Sequence, residues 1–157
     1  MGEPNHDIMA SVGGLQNRIK TAIRGVVAVV DDDPEILEAL GAWLDQSGVQ
    51  ASLHGSAESL VHALALSNQP IQIQLQAGSP EVEPLGCVIL DLSLPGVNGL
   101  NLAWALRGHH PDLPMVLISA HDPAQYAQMG RLPPGMASLQ KPIDLDALEV
   151  AMLAALH

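Results

Sequence analysis

The feature that most constrains the fold is an alternation of short apolar runs with amphipathic segments, which begins at Val26 and continues to the end of the chain. Runs of four or five apolar, often β-branched residues are typical of strands buried on both faces of a parallel sheet. Between them, apolar residues recur at helical spacing. Asp33 and Pro34 can cap and start the first helix, and Gly48 can end it. The predicted strands are 26–30, 49–54, 87–90, 115–118 and 137–139, and the later helices are 56–66, 99–107 and 144–156.

Strands that alternate with helices need right-handed crossovers, which place the strands parallel in one sheet with helices on both faces. The sequence therefore predicts an α/β fold with a doubly wound, five-stranded parallel sheet. A fourth helix should stop early, because Pro133 and Pro134 follow the fourth strand closely.

The chain divides into an N-terminal extension over 1–24, part of it helical, and one domain over 25–157. Leu15, Ile19 and Ile23 recur at helical spacing in the extension. Residues 67–85 form an inserted connection far longer than is usual in α/β units. Its apolar residues at 71, 73 and 75 alternate with glutamines, which fits either an extra edge strand or a surface loop.

Charge and composition exclude several classes of function. The formal net charge is −11, and no Lys or Arg occurs between Arg24 and Arg107. Such an acidic body repels phosphate backbones, so direct nucleic-acid binding by this segment is not expected. No apolar run reaches the length of a membrane span, and the single Cys87 cannot form a disulfide framework. We expect a cytoplasmic protein without membrane contact.

Polar side chains follow four of the predicted strands at the point where each strand ends. Because ligands bind at the carboxyl ends of parallel strands, these side chains should form one site. They are Asp31, Asp32 and Asp33 after the first strand, Asp91 after the third, Ser119 after the fourth and Lys141 after the fifth.

Clustered carboxylates repel one another unless a hard cation lies between them, and Mg²⁺ prefers such oxygen ligands. A carboxylate can then attack phosphorus to form an aspartyl phosphate. Asp91 is the best nucleophile because it stands alone after a buried strand. A lysine and a hydroxyl, such as those of Lys141 and Ser119, would neutralise the phosphoryl oxygens during transfer.

Four blocks of this sequence resemble the receiver domains of bacterial two-component response regulators, and they occur in the order typical of that family. They extend from about residue 26 to the end of the chain. The blocks are Val-Val-Asp31-Asp32-Asp33-Pro34-Glu35, Val-Ile-Leu-Asp91-Leu-Ser-Leu-Pro95-Gly96-Val-Asn-Gly99-Leu, Val-Leu-Ile-Ser119-Ala120 and Lys141-Pro142.

The resemblance implies a flavodoxin-like sheet of strand order 2-1-3-4-5 and a role for each site residue. Asp91 is then the phosphoacceptor, and the Mg²⁺ ligands are Asp91, Asp32, Asp31 through a metal-bound water, and the backbone carbonyl of Ser93. Ser119 corresponds to the hydroxyl residue that bonds the phosphoryl group. Lys141 corresponds to the lysine that contacts phosphate.

A receiver is a signalling module rather than an enzyme acting on other substrates. The resemblance implies that a sensor histidine kinase or phosphotransfer protein supplies the phosphoryl group. It also implies that the signal passes to an output domain or protein partner, with a receiver homodimer as one form of the active protein.

One departure from the family concerns signalling. Three residues before Lys141 the family usually has Phe or Tyr, but this chain has Ser138 and contains no Phe. This departure leaves open a pseudo-receiver, an interaction module that phosphate does not switch. A separate alternative is a phosphatase resembling haloacid dehalogenases, which would use the Asp-x-Asp of Asp31 and Asp33 with Asp31 as the nucleophile.

Overall fold

The computed structural model describes residues 18–65, 71–76 and 79–156. The start of the predicted N-terminal helix, including Leu15, lies outside the described residues. In chain order the helices and strands are β1 (Val26–Val30), α1 (Pro34–Gln46), β2 (Ala51–His54), α2 (Ala57–Ala63), β3 (Leu64–Ala65), β4 (Gln72–Gln74), β5 (Val82–Asp91), β6 (Ser93–Leu94), β7 (Val97–Asn98), α3 (Gly99–His109), β8 (Met115–Ser119), α4 (Pro123–Tyr126), β9 (Ala137–Gln140) and α5 (Leu145–Ala155).

The centre of the fold is a parallel sheet in the order β2, β1, β5, β8, β9. Numbered by their order in the chain, these five strands lie in the order 2-1-3-4-5, which confirms the predicted topology. The register places Val30 beside His54, Asp91 beside Ile118 and Ser119 beside Gln140. The carboxyl ends of the five strands therefore share one edge of the sheet.

Alternate residues of the central strands build a separate apolar core on each face of the sheet. In β1, Val27 and Val29 pack in the cluster that contains Leu44 of α1 and Leu148 of α5. The other residues of β1 belong to the cluster built with α2 and α3. Burial on both faces explains why the strands are continuous apolar runs.

Four helices begin with a polar cap whose side chain accepts a backbone N–H group of the first turn, which satisfies a donor that the helix leaves unpaired. These caps are Asp33 for α1, Ser56 for α2, Asn98 for α3 and Asp144 for α5.

The inserted connection contains a strand. Within it Gln72–Gln74 forms β4, which pairs antiparallel with β3 on one side and with the start of β5 on the other. Ile73 is fully buried. The alternation of apolar residues and glutamines thus corresponds to the strand alternative, while residues 66–70 and 77–78 lie outside the described residues.

Two boundaries in the structure differ from the predicted ones, and both differ for the same reason. The second helix ends at Ala63 instead of residue 66, because the next two residues leave the helix to pair with β4. The third strand begins at Val82 instead of residue 87, because its first residues also pair with β4.

The described end of the N-terminal extension is helical at residues 18–22 and contacts the sheet. Ile19 and Ile23 are buried in the same apolar cluster as Leu44. Part of the predicted extension thus contributes to the core. Among the described residues, no helix combines the length and the apolar character that crossing a bilayer requires.

Candidate functional site

Three carboxylates meet at the carboxyl edge of the sheet. Asp31 and Asp32 follow β1, and Asp91 is the last residue of β5. One carboxylate oxygen from each lies within 4.8 Å of those from the other two. Asp31 and Asp91 are buried, whereas Asp32 is exposed. The structure therefore brings together the three aspartates predicted as metal ligands.

Each buried carboxylate has one oxygen fixed by its own chain. Asp31 Oδ1 accepts a hydrogen bond from the backbone N–H of Asp33 over 2.9 Å. Asp91 Oδ1 accepts one from the backbone N–H of Ser93 over 3.2 Å. These bonds set the rotation of both carboxylates and leave the two Oδ2 atoms to face the pocket.

Lys141 lies between the two free oxygens. Its Nζ is 2.9 Å from Asp31 Oδ2 and 3.4 Å from Asp91 Oδ2. The backbone N–H of Lys141 donates to the carbonyl of Ser119 over 2.7 Å, which holds the end of β9 beside β8. The ammonium group is thus placed to offset part of the negative charge of the pocket.

Burial and charge alter the protonation of this group of residues. Burial raises the pKa of Asp91, and the nearby Asp31 raises it further, although Lys141 acts in the opposite direction. Burial lowers the pKa of Lys141, but contact with the two carboxylates outweighs this effect and raises the pKa above its ordinary value. Lys141 therefore carries its positive charge at neutral pH.

The raised pKa of Asp91 predicts a pH-dependent loss of stability. The folded protein keeps the Asp91 proton at pH values where the unfolded chain has lost it, so stability declines as pH rises from about 4 through the folded pKa. We expect the free energy of unfolding in urea, measured without divalent cations, to fall over this interval relative to that of Asp91→Asn. The comparison cancels the titration of carboxylates that lie far from the pocket. A difference between the two proteins that stays constant with pH would contradict the expectation.

Ser119 ends β8 one residue beyond the sheet partner of Asp91. Its side chain is buried, and its Oγ accepts a hydrogen bond from the backbone N–H of His121 over 2.9 Å. Because that bond uses a lone pair of the hydroxyl oxygen, the hydroxyl proton stays available for another acceptor.

The turn after Asp91 is a short hairpin in which β6 and β7 pair antiparallel, with Ser93 opposite Asn98. Its tip contains Gly96, whose φ of 73° favours glycine. Ser93 was predicted to offer its carbonyl to a metal. The structure places Ser93 in this hairpin two residues after Asp91, and the carbonyl role stays a prediction.

Gly99 contacts the main chain of Asp91 in a way that sequence reasoning missed. A Cβ atom at this position would lie 2.0 Å from the carbonyl oxygen of Asp91. The backbone N–H of Gly99 also donates to the carbonyl of Leu92 over 2.7 Å. The start of α3 therefore packs directly on the main chain of Asp91. The sequence signal is that Gly99 follows Gly96 after only two residues.

The donors of the site suit a hard divalent cation such as Mg²⁺. All three side chains offer carboxylate oxygens, the ligands that Mg²⁺ prefers. Asp31 Oδ2 is fully buried, and the charged group beside it among the described residues is the ammonium of Lys141, 2.9 Å away. One ammonium cannot neutralise three carboxylates that lie this close together, so the donor set suits an additional cation.

Comparison with known families agrees with this geometry. The response regulator receiver domain family matches the chain over residues 27–153. The chain is 28% identical over 123 residues to the DNA-binding transcriptional regulator NtrC of Escherichia coli K12, which is 78% of this chain and 23% of NtrC. It is 28% identical over 130 residues to the transcriptional regulatory protein FixJ of Azorhizobium caulinodans, which is 83% of this chain and 54% of FixJ. The chain thus spans about a quarter to a half of these relatives.

Solved structures share the fold. A response regulator receiver protein from Sinorhizobium medicae matches with a TM-score of 0.64 and 21% identity, covering 83% of this chain and 93% of that protein. NtrX from Brucella abortus matches with a TM-score of 0.61 and 25% identity, covering 85% of this chain and 27% of NtrX.

Proposed function

The chain belongs to the family of response regulator receiver domains, the signalling modules of two-component systems, and on that basis we propose that it accepts a phosphoryl group on Asp91. The observation that carries the proposal is the position of Lys141 Nζ between the Oδ2 atoms of Asp31 and Asp91. Placed there, the ammonium group can stay close to the acceptor oxygen while negative charge builds up on a transferred phosphoryl group.

The transfer itself is a displacement at phosphorus. An oxygen of the Asp91 carboxylate attacks the phosphorus of a phosphohistidine, the new P–O bond forms, and the P–N bond breaks. The imidazole leaves with the electron pair of that bond and takes up a proton. Lys141 then balances charge on the phosphoryl oxygens, and the Ser119 hydroxyl donates a hydrogen bond to one of them.

Asp31, Asp32, Asp91 and the carbonyl of Ser93 would hold Mg²⁺. When bound, the ion supplies positive charge that neutralises the phosphoryl oxygens and the carboxylates. The hydrogen bonds from Asp33 N–H and Ser93 N–H keep the carboxylates oriented before any ligand arrives. This preorganisation lowers the cost of bringing donor and acceptor together.

Uptake of phosphate from a small phosphodonor tests the proposal. Purified protein should gain the mass of one phosphoryl group in the presence of Mg²⁺ and a donor such as acetyl phosphate, and the chelator EDTA should prevent the gain. Peptide mapping after borohydride trapping should place the modification on Asp91. No gain in folded protein would support the pseudo-receiver, and a modification on Asp31 would support the phosphatase alternative.

The phosphatase alternative has less support. Asp33 Oδ1 accepts the backbone N–H of Glu35 over 2.9 Å, so its carboxylate is engaged in capping α1. An acid that assists a leaving group needs to face the reacting phosphorus instead.

Mg²⁺ should stabilise the protein by binding the native state alone. At ten times its dissociation constant the ion contributes about 1.4 kcal/mol, which should raise the melting temperature by about 3 to 6 °C. Asp32→Asn should reduce the shift. Asp45→Asn changes an exposed residue near the C-terminal end of α1, away from the pocket, and should keep the shift. An equal shift in both variants would indicate general charge screening rather than a site.

The wider role of the chain rests on its relatives. NtrC is described as a DNA-binding transcriptional regulator, and this chain matches under a quarter of its length. We propose that a sensor histidine kinase or phosphotransfer protein donates the phosphoryl group in the cytoplasm. The signal would pass to an output domain or to a protein partner, with a receiver homodimer as one form of the phosphorylated protein.

A further inference from the structure

The segment between α4 and β9, residues 127–136, is held beside α3 by side-chain contacts. Its regular structure is a short 3-10 turn, Ala127–Met129. Gly130 and Gly135 adopt φ values of 130° and 79° on either side of two prolines. Proline removes a backbone donor and restricts the residue before it, so the segment cannot continue as a helix.

Two polar contacts join this segment to α3 and its cap. Trp104 Nε1 donates a hydrogen bond to the carbonyl of Arg131 over 2.7 Å. Asn98 Nδ2 contacts Met129 Sδ over 3.6 Å. We call these two contacts the α3 clasp. Leu132 adds an apolar contact with the core cluster on this face.

The same end of α3 also holds the acceptor. Asn98, which contacts Met129, pairs with Ser93 in the hairpin that follows Asp91. Gly99 packs against the carbonyl of Asp91. A shift of the main chain at Asp91 or Ser93 therefore reaches Asn98 and Gly99 directly. From there the helix carries it to Trp104, because helical hydrogen bonds keep α3 rigid over this distance.

The clasp also accounts for the position of Trp104, a large aromatic residue that the apolar core does not bury. Trp104 is 45% exposed, although a large aromatic side chain usually gains most by burial. Its indole N–H is satisfied by a main-chain carbonyl of the segment. In contrast, Ser138 of β9 is too small to act as the aromatic side chain that the family usually carries there.

We propose that the α3 clasp couples phosphorylation of Asp91 to the conformation of residues 127–136, in place of an aromatic residue at position 138. The inference rests on the proposed function, since it assumes a phosphorylated state. Coupling requires that the clasp has unequal strength in the two states, because a contact formed equally in both transmits nothing. By reciprocity, breaking the clasp must alter how tightly the pocket binds a phosphoryl mimic.

Trp104→Phe tests this reciprocity, since phenylalanine keeps a ring but lacks the N–H donor. Binding of beryllofluoride with Mg²⁺ is titrated, with amide exchange of residues 127–136 as the reporter. We expect the midpoint to shift by at least about fivefold in Trp104→Phe and the exchange response of the segment to shrink. A residue that only stabilises the fold would alter exchange equally with and without beryllofluoride and leave the midpoint unchanged.

Two matched controls separate the clasp from general effects. Trp43→Phe makes the same substitution in α1, beside the opposite core cluster. Arg131→Ala removes a side chain but keeps the carbonyl that accepts the Trp104 bond. Both should bind beryllofluoride as the wild-type protein does, and a shift in Trp43→Phe equal to that in Trp104→Phe would overturn the proposal.

A second variant keeps the test decisive if Trp104→Phe does not fold. Met129→Ala removes the sulfur that contacts Asn98 and should shift the midpoint in the same direction by a smaller factor. Unaltered midpoints in the folded clasp variants would overturn the clasp alone. Failure of the wild-type protein to bind beryllofluoride would overturn the proposed function together with it.

Discussion

Asp91→Asn should reduce phosphate uptake from a small phosphodonor or a histidine kinase to background, a loss of at least about 100-fold. The amide oxygen is a poor nucleophile, and no other buried carboxylate is placed like Asp91 beside both Lys141 and the hairpin among the described residues. The variant should stay folded, because an amide oxygen can still accept the Ser93 N–H. Intact-mass measurement after incubation with acetyl phosphate and Mg²⁺ checks the loss.

Stability measured on the same variant tests the electrostatics of the pocket. The environment of Asp91 disfavours its charged form, as the raised pKa shows. A neutral side chain should therefore raise the melting temperature when Mg²⁺ is absent. Asp33→Asn serves as the matched control, since asparagine also caps helices well. Asp33→Asn should keep phosphate uptake. If Asp91→Asn took up phosphate fully and Asp33→Asn did not, the assignment of Asp91 as the phosphorylated residue would be wrong.

Gly99→Ala should lower the melting temperature by roughly 6 to 12 °C, which corresponds to about 3 kcal/mol of destabilisation. The added Cβ would lie 2.0 Å from the Asp91 carbonyl oxygen and 2.9 Å from its carbonyl carbon, so one of the two main-chain segments must move. Because that movement displaces Asp91, phosphate uptake should also fall by about 100-fold at a temperature where the variant is folded.

Gly108→Ala provides the control within the same helix. Apart from its chain neighbours and the backbone of its own helix, nothing among the described residues lies within 4 Å of the position that its Cβ would occupy. Alanine is the better helix former, so this variant should be as stable as the wild-type protein or up to about 1 kcal/mol more stable. Circular dichroism melting of the two variants compares them directly. If Gly99→Ala and Gly108→Ala have the same melting temperature, the start of α3 does not pack tightly on the main chain of Asp91.

The central sheet could be predicted because its strands are buried on both faces and are therefore continuous apolar runs. The three aspartates and Lys141 could be placed in one site because the carboxyl ends of parallel strands share an edge. The first argument needs only the apolar runs in the sequence, and the second needs only the order of strands and helices along the chain. The topology already required these four residues to lie close together. The resemblance to a family then suggested what each of them does.

The rest depends on contacts between residues that are distant in sequence. Leu64 could continue α2 or begin a strand, and its pairing with Ile73 decides between these outcomes. Local propensity does not contain that information. Likewise, the contact of Gly99 with Asp91 follows from the packing of α3, and the position of Lys141 between two carboxylates follows from side-chain geometry.

The burial of Cys87 in β5 has a practical consequence for attaching probes. It is the only cysteine of the chain and is fully buried. Burial raises the pKa of its thiol to about 12, so little thiolate forms at neutral pH. A cysteine introduced at the exposed Glu83, near the start of β5, would therefore react alone with a maleimide dye. Eight residues separate it from Asp91 along the strand, roughly 26 Å, which leaves the pocket free of the label.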